Sequence, residues 1–399
     1  MTTQHMKRNV ALLALGQAVM MSGGVLLVAT GSLLGKRLAE QPLLATLPVA
    51  LQMVASVAMA IPASFLMARI GRRAGFMLGA LLAIVGGALA TYGIVSESFL
   101  LFSLAAVLLG VFTGFGNYFR FAAVDAATVD YRARAVSYVM AGGVIAAVLG
   151  PNLASWGAGL LPGIEFAGGY ILLTLLYVVV FLALAALDIP SPPAFSVAGR
   201  SLGAIAQQAR FVVAVIGGAG GFAIMALVMT ATPLAMADCG YPYPQTSFVI
   251  EWHVLGMFVP SFFTGRLIQR FGVFSVMMTG AVLYLFTIAI NLNGITVSHF
   301  WSALLLLGVG WNFLFIGATQ LLTTAYRPEE QAKVQAANDF LVFGITALAV
   351  LFAGKLQIEL GWRMVNLGVA PAVVLVIGAL LWLRWSMEKE KEVAERSVT

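Results

Sequence analysis

The sequence predicts an all-α membrane protein of twelve transmembrane helices, arranged as two pseudo-symmetric six-helix halves, on three observations. First, 61% of its 399 residues are hydrophobic and only 10% charged, with a mean hydropathy of +0.98. A soluble domain is about 45–50% apolar and about 25% charged, so lipid must be the solvent for most of this surface. Second, the apolar residues fall into twelve runs, each near the roughly 20 residues a spanning helix needs. Third, the runs divide six and six around a proline-rich connection, and one loop signature occurs in both sets. The runs are too long and too uniformly apolar for a membrane β-barrel, whose strands alternate over about ten residues.

Span 1 (9–34) follows Lys7 and Arg8. It is longer than a signal-peptide core and is read as a retained helix. Spans 2 and 3 (43–67 and 73–93) flank a basic turn, and spans 4, 5 and 6 follow at 98–120, 134–159 and 167–187. Asp188-Ile-Pro-Ser-Pro-Pro193 then forbids a continuous helix. It divides the chain into a first half (1–187), a linker (188–207) and a second half with a short charged tail (208–399). Ser201 to Arg210 reads as a short amphipathic surface helix. Spans 7 and 8 (208–237 and 244–268) are joined by the tight turn Gly240-Tyr-Pro-Tyr-Pro244, and spans 9 to 12 lie at 273–293, 298–324, 333–358 and 364–385.

Fourteen basic residues, among them Arg69, Arg132, Arg210, Arg270 and Arg327, fall on the side of the termini, against Lys36, Arg37, Lys355 and Arg363 on the other. The positive-inside rule places both termini in the cytoplasm. It also accounts for the net charge of +6 without nucleic acid as a partner; lipid surrounds the chain. A single cysteine, Cys239, excludes an internal disulfide framework or a cysteine-based metal cluster. No P-loop motif and no catalytic constellation occur, so the chain reads as a carrier, not an enzyme, driven by a gradient.

The repeated signature is Ser64-Phe-Leu-Met-Ala-Arg69-Ile-Gly71-Arg72-Arg73 after span 2 and Gly265-Arg-Leu-Ile-Gln-Arg270-Phe-Gly272 after span 8. Arg69 aligns with Arg270 and Gly71 with Gly272 at a common offset of 201 residues. These loops resemble the gating motif Gly-x-x-x-Asp-Arg-x-Gly-Arg-Arg of the major facilitator superfamily. Ser64 stands for its first glycine, Ala68 for its aspartate and Gln269 for the second-half aspartate. The resemblance implies alternating access by two halves rocking about a central site.

Inside the spans, polar and soft residues are the candidates for function. Span 7 carries Met225-Ala-Leu-Val-Met229 and span 8 His253-Val-Leu-Gly-Met257, each pair four residues apart on one helical face. Met229 and His253 lie about 12–14 Å below the outer helix ends, Met225 and Met257 about 18–20 Å below. Met236 and Cys239 continue the span 7 stripe outward, interrupted by Pro233. A buried methionine pair is more often core filler. Thioether, thiolate and imidazole together suit Cu(I), with neutral His253 as ligand. The two pairs are similar to the markers of CcoA-like copper importers, a branch of the same superfamily that includes a riboflavin-transporter-like subgroup. That resemblance implies a monomeric importer of copper across the bacterial inner membrane, with a cytoplasmic copper acceptor as partner, copper as transported substrate and no permanently bound cofactor.

Other residues keep an organic solute open, imported like riboflavin or exported like a drug. Asn117, Tyr118 and Arg120 at the inner end of span 4, with Trp311 and Asn312 in span 10, form a candidate cavity for one. Trp252 and Trp311 have rings on which a flat molecule stacks. Glu251, about 200° round the helix from His253, and Asp339, beside Asn338 in span 11, are candidates for proton coupling. Asp339 also reads as an inner-gate contact.

Overall fold

The computed structural model describes residues 3–41, 44–128, 131–189 and 199–396. The prolines of the linker, Pro190, Pro192 and Pro193, lie outside the described residues. Ten helices are long and apolar enough to cross a membrane; the pair Tyr243–Phe258 and Ser261–Phe271, bent by 44°, makes an eleventh. The last helix, Gln331–Arg396, breaks at Gly361 (φ 76°, ψ 172°) into two spans. Among the described residues this gives twelve.

In chain order the spans are 1 (Thr3–Leu38), 2 (Leu47–Ile70), 3 (Arg72–Val95) and 4 (Phe99–Gly116, continued by Phe119–Asp125). Span 5 is Arg132–Met140 plus Gly142–Gly157, and span 6 is Ala167–Ala185. A five-residue turn of helix, Leu202–Ala206, precedes span 7 (Ala209–Asp238), shorter than the surface helix the sequence suggests. Span 8 is the bent pair, spans 9 and 10 are Val273–Asn293 and Val297–Thr323, and spans 11 and 12 lie on either side of Gly361. Lipid cannot satisfy backbone amides, so each apolar run closes its own ladder as a helix.

The packing of the first six spans recurs in the last six. Span 3 lies on spans 4 and 6, span 2 on span 4, and span 1 on spans 5 and 6. Correspondingly, span 9 lies on span 10 and reaches span 12 through the buried Asn291–Asn366 hydrogen bond of 2.7 Å. Span 8 lies on span 10, and span 7 meets span 11 at Gly218–Val342 and span 12 at Gly220–Val376. The signature glycines repeat in backbone as well as sequence: Gly71 adopts φ 87°, ψ 156° and Gly272 φ 80°, ψ 154°. Each ends one span and starts the next in a conformation that an L side chain rarely takes.

The halves meet on the side away from the termini. There span 2 packs on span 11, where Thr46 donates to the Leu351 carbonyl at 3.1 Å. Gly142–Gly157 of span 5 packs on Tyr243–Phe258 of span 8, and Tyr243 donates to the Pro151 carbonyl at 2.8 Å. Lys36 at the end of span 1 pairs with Asp238 at the end of span 7 at 2.8 Å. Towards the termini the same helices diverge. No substantial packing joins Arg132–Met140 to Ser261–Phe271, and Ile61, Tyr138, Phe262 and Phe340 are exposed. The cleft between the halves is therefore closed on the far side and open on the terminus side.

Candidate functional site

The bend in span 8 organises the floor of the cleft. Pro260 cannot donate to the helix ladder, and the break leaves carbonyls to be satisfied elsewhere. Asn312 of span 10 does this: its side-chain nitrogen donates to the Met257 carbonyl and to Ser261 Oγ, both at 2.6 Å. Its oxygen accepts from Thr264 Oγ1 at 2.6 Å. Asn312 is fully buried and its polar capacity is spent within the bundle. It therefore pins the bend, where the sequence expected it on a cavity wall.

Spans 8 and 10 come together through glycines. A Cβ on Gly308 would stand 2.3 Å from the His253 carbonyl, and one on Gly256 2.8 Å from the Leu305 carbonyl. This close approach turns His253, which is wholly buried, onto span 10, where Nδ1 hydrogen-bonds the Leu304 carbonyl at 2.7 Å. A carbonyl only accepts, so Nδ1 carries the proton in this contact. Nε2 is buried without a protein partner. Met225, Met229, Met236 and Met257 are all buried, and Cys239 caps the far end of span 7, exposed. Partial burial and then the neighbouring Asp238 charge push the Cys239 thiol up, which disfavours the thiolate. Among the described residues no three His, Cys, Asp or Glu side chains gather as a metal site.

Five rings dominate the face that the second half turns to the first. Trp311 stacks on Phe315 with centroids 5.0 Å and planes 10° apart, and stands edge-on to Phe222 at 5.3 Å. Phe258 approaches Trp311 at 6.0 Å, and Phe222 also meets Phe343 of span 11 at 5.4 Å. Across the cleft the ring of Phe258 lies against Gly143 of span 5, where a Cβ would come within 2.7 Å. The sequence singled out Trp311 but not its four phenylalanines. Trp252 is instead 38% exposed and packs edge-on to Trp301 at 5.9 Å, away from this cluster.

Polar groups close the cluster at both ends. On the far side Glu251 accepts a hydrogen bond from Asn152 of span 5 at 2.8 Å, a cross-half contact that the sequence did not expose. On the terminus side Asp339 is bonded to Asn338 at 3.2 Å and lies within electrostatic reach of Arg120 and Tyr118 of the first half. Arg120 rests over the Phe121 ring at 4.8 Å, Tyr118 donates to the Ala60 carbonyl at 2.7 Å, and Asn117 is exposed beside them. Asp339 and the span 4 residues, separate candidates in the sequence, are thus brought together.

The signature loops differ between halves. Arg72 is buried and paired with Asp125 at the end of span 4, at 2.5 Å, so an acid from another helix stands where Ala68 leaves none. The register puts Val273 at the corresponding place in the second half, without a charge to pair. Arg69 and Arg73 are exposed, and Arg270 covers the Phe271 ring at 5.2 Å.

Comparison with known proteins agrees with this architecture. The riboflavin transporter RfnT of Brucella anthropi is 42% identical over 379 residues, covering 94% of this chain and 95% of the relative. Among solved structures, the nucleoside transporter NupG superposes with a TM-score of 0.72 at 15% identity, covering 94% of this chain and 99% of that one. A bacterial homologue of the human lysosomal transporter Spinster, inward-facing and occupied, gives 0.71 at 14% identity over 97% of this chain and 98% of its own. These likenesses show the fold. A family model described as the Major Facilitator Superfamily matches residues 12–345 and 213–398, and the chain is a multi-pass membrane transporter belonging to that superfamily.

Proposed function

We propose that this carrier moves an organic solute with a flat ring system into the cell, with riboflavin as the first substrate to test. The observation that carries the reading is the 42% identity, over nearly the whole of both chains, to a riboflavin transporter. The five-ring cluster at the meeting of the halves supports it, because stacked and edge-on rings favour a planar aromatic guest. Copper import, the sequence's first expectation, has less behind it. The relative at 42% identity is a riboflavin transporter, and the Cys239 thiol is held away from its metal-binding form. The basic bias of the terminus-side loops supports cytoplasmic termini in a bacterial inner membrane, and on that orientation the cleft opens to the cytoplasm.

Uptake into vesicles containing only this protein separates the readings. Labelled riboflavin and Cu(I) under reducing conditions are supplied in parallel, beside empty vesicles. Saturable riboflavin accumulation that excess copper does not alter is expected. Saturable copper accumulation, abolished by His253→Ala with Met229→Ala and indifferent to riboflavin, would overturn the proposal.

A further inference from the structure

Two features of the ring cluster go beyond a general preference for aromatic solutes. Trp311 is 6% exposed, yet its indole Nε1 is buried without a hydrogen-bond partner in the protein. An unmet N–H in a low-dielectric interior costs about 1–3 kcal/mol; Trp301 and Trp362 carry the same unmet group, and of the three Trp311 is the one within the ring cluster. The second feature is the distance to charge. Phe343 of the cluster and Asp339 stand four residues apart on span 11, so they share a helical face about 6 Å apart along the axis. Asp339 in turn answers Arg120 and Tyr118 across the cleft. The aromatic surface thus belongs to the second half, and most of the polar group below it to the first.

Resting on the organic-solute reading above, we propose that recognition is divided between the halves. The Phe222–Phe258–Trp311–Phe315–Phe343 cluster receives a fused heteroaromatic ring, with Trp311 donating its N–H to an acceptor on the ring edge. Arg120, Tyr118 and Asp339 receive a neutral, hydroxyl-rich chain attached to that ring. The charges decide the chemistry of the chain. A guanidinium donates, a carboxylate accepts and a phenol does either, which matches hydroxyls that do both. A phosphorylated chain brings a dianion whose desolvation on entering the cleft the single Arg120 guanidinium does not offset, so the phosphate ester is disfavoured. A solute carrying both parts spans the cleft and joins the halves; ring or chain alone engages one side.

Binding to the purified carrier, read from quenching of the ring's own fluorescence, tests this with riboflavin, lumichrome (the ring without its chain) and flavin mononucleotide. The wild type should bind riboflavin at least tenfold more tightly than flavin mononucleotide. Trp311→Phe keeps a ring in the stack and removes the N–H, and should weaken riboflavin and lumichrome alike, about tenfold. Arg120→Ala should weaken riboflavin by a similar factor and leave lumichrome unchanged. Each variant is first checked for wild-type thermal stability, Trp311→Phe serving as the conservative partner to Trp311→Ala. Riboflavin bound with wild-type affinity by both Trp311 variants would place the ring elsewhere, and an Arg120→Ala loss shared equally by lumichrome would overturn the division. Absence of riboflavin binding by the wild type itself is a distinct result: it removes the substrate reading, and this site with it.

Discussion

Truncating Asn312 to alanine should cost stability and leave solute affinity intact. The side chain makes three hydrogen bonds of 2.6 Å, to the Met257 carbonyl, Ser261 and Thr264, all across the interface of spans 8 and 10. Interhelical hydrogen bonds in membranes average about 0.6 kcal/mol, so three amount to roughly 2 kcal/mol. Full desolvation penalties would give more, but Thr264 retains the Pro260 carbonyl and Ser261 is exposed. At about 2 °C per kcal/mol for a chain of this size, Tm should fall by about 4 °C. The assay is thermal unfolding of the purified protein in detergent, paired with uptake kinetics at a temperature where the variant is folded. A lower Tm with unchanged KM is expected. An unchanged Tm with KM raised tenfold would show that Asn312 faces the solute and that the pinning role is wrong.

Asn152→Ala removes the hydrogen bond to Glu251, and a bond to a charged group is worth about 1.5–3 kcal/mol. Distance measurements between spin labels on the far ends of spans 5 and 8 should then show the far-side-open population rising about tenfold; no change would exclude the pair as a latch. Lys36→Ala should alter stability by less than about 1 kcal/mol, because both partners of Lys36–Asp238 are some 40% exposed, and a larger loss in detergent would contradict that. Glu330 should fasten the linker. Hydrogen bonds from Arg200, and from the backbone N–H groups of Arg327 and Arg200, hold its carboxyl well below the usual carboxylate range against the opposing effect of burial. A depressed folded pKa means that the contact is fully present above the free carboxylate's pKa and is lost as pH falls through the lower, folded one. Amide exchange at Arg200 should accordingly be slow and equally protected at pH 5 and pH 7, and fast in Glu330→Gln. Loss of protection at pH 5 in the wild type would refute it.

Helices and topology were readable because membrane spans announce themselves one at a time: each apolar run satisfies its own backbone and needs no partner to be recognised. The Gly71 and Gly272 turns were readable for a similar reason, since a local backbone demand repeats wherever the loop repeats. The site was less legible. His253 stood out as expensive in lipid, but its direction is set by Gly256 and Gly308, whose missing side chains bring a span 10 carbonyl to it. Asn312 looked like any intramembrane amide, because its task arises from a bend 55 residues earlier, at Met257. Phe222, Phe258, Phe315 and Phe343 were hidden among 26 phenylalanines, most of which meet lipid or core with the same composition. Only the way the helices rotate separates them.

The far-side ties have a consequence for kinetics. An empty carrier that rests open to the terminus side must break Lys36–Asp238, Asn152–Glu251 and the Thr46 contacts before it can collect the next solute. That return is made without solute binding energy to offset it, so it limits net turnover. Solute already present on the terminus side shortens the cycle by letting the carrier return loaded. Exchange of labelled for unlabelled solute should therefore run faster than net uptake into empty vesicles, and the gap should narrow as the ties are cut.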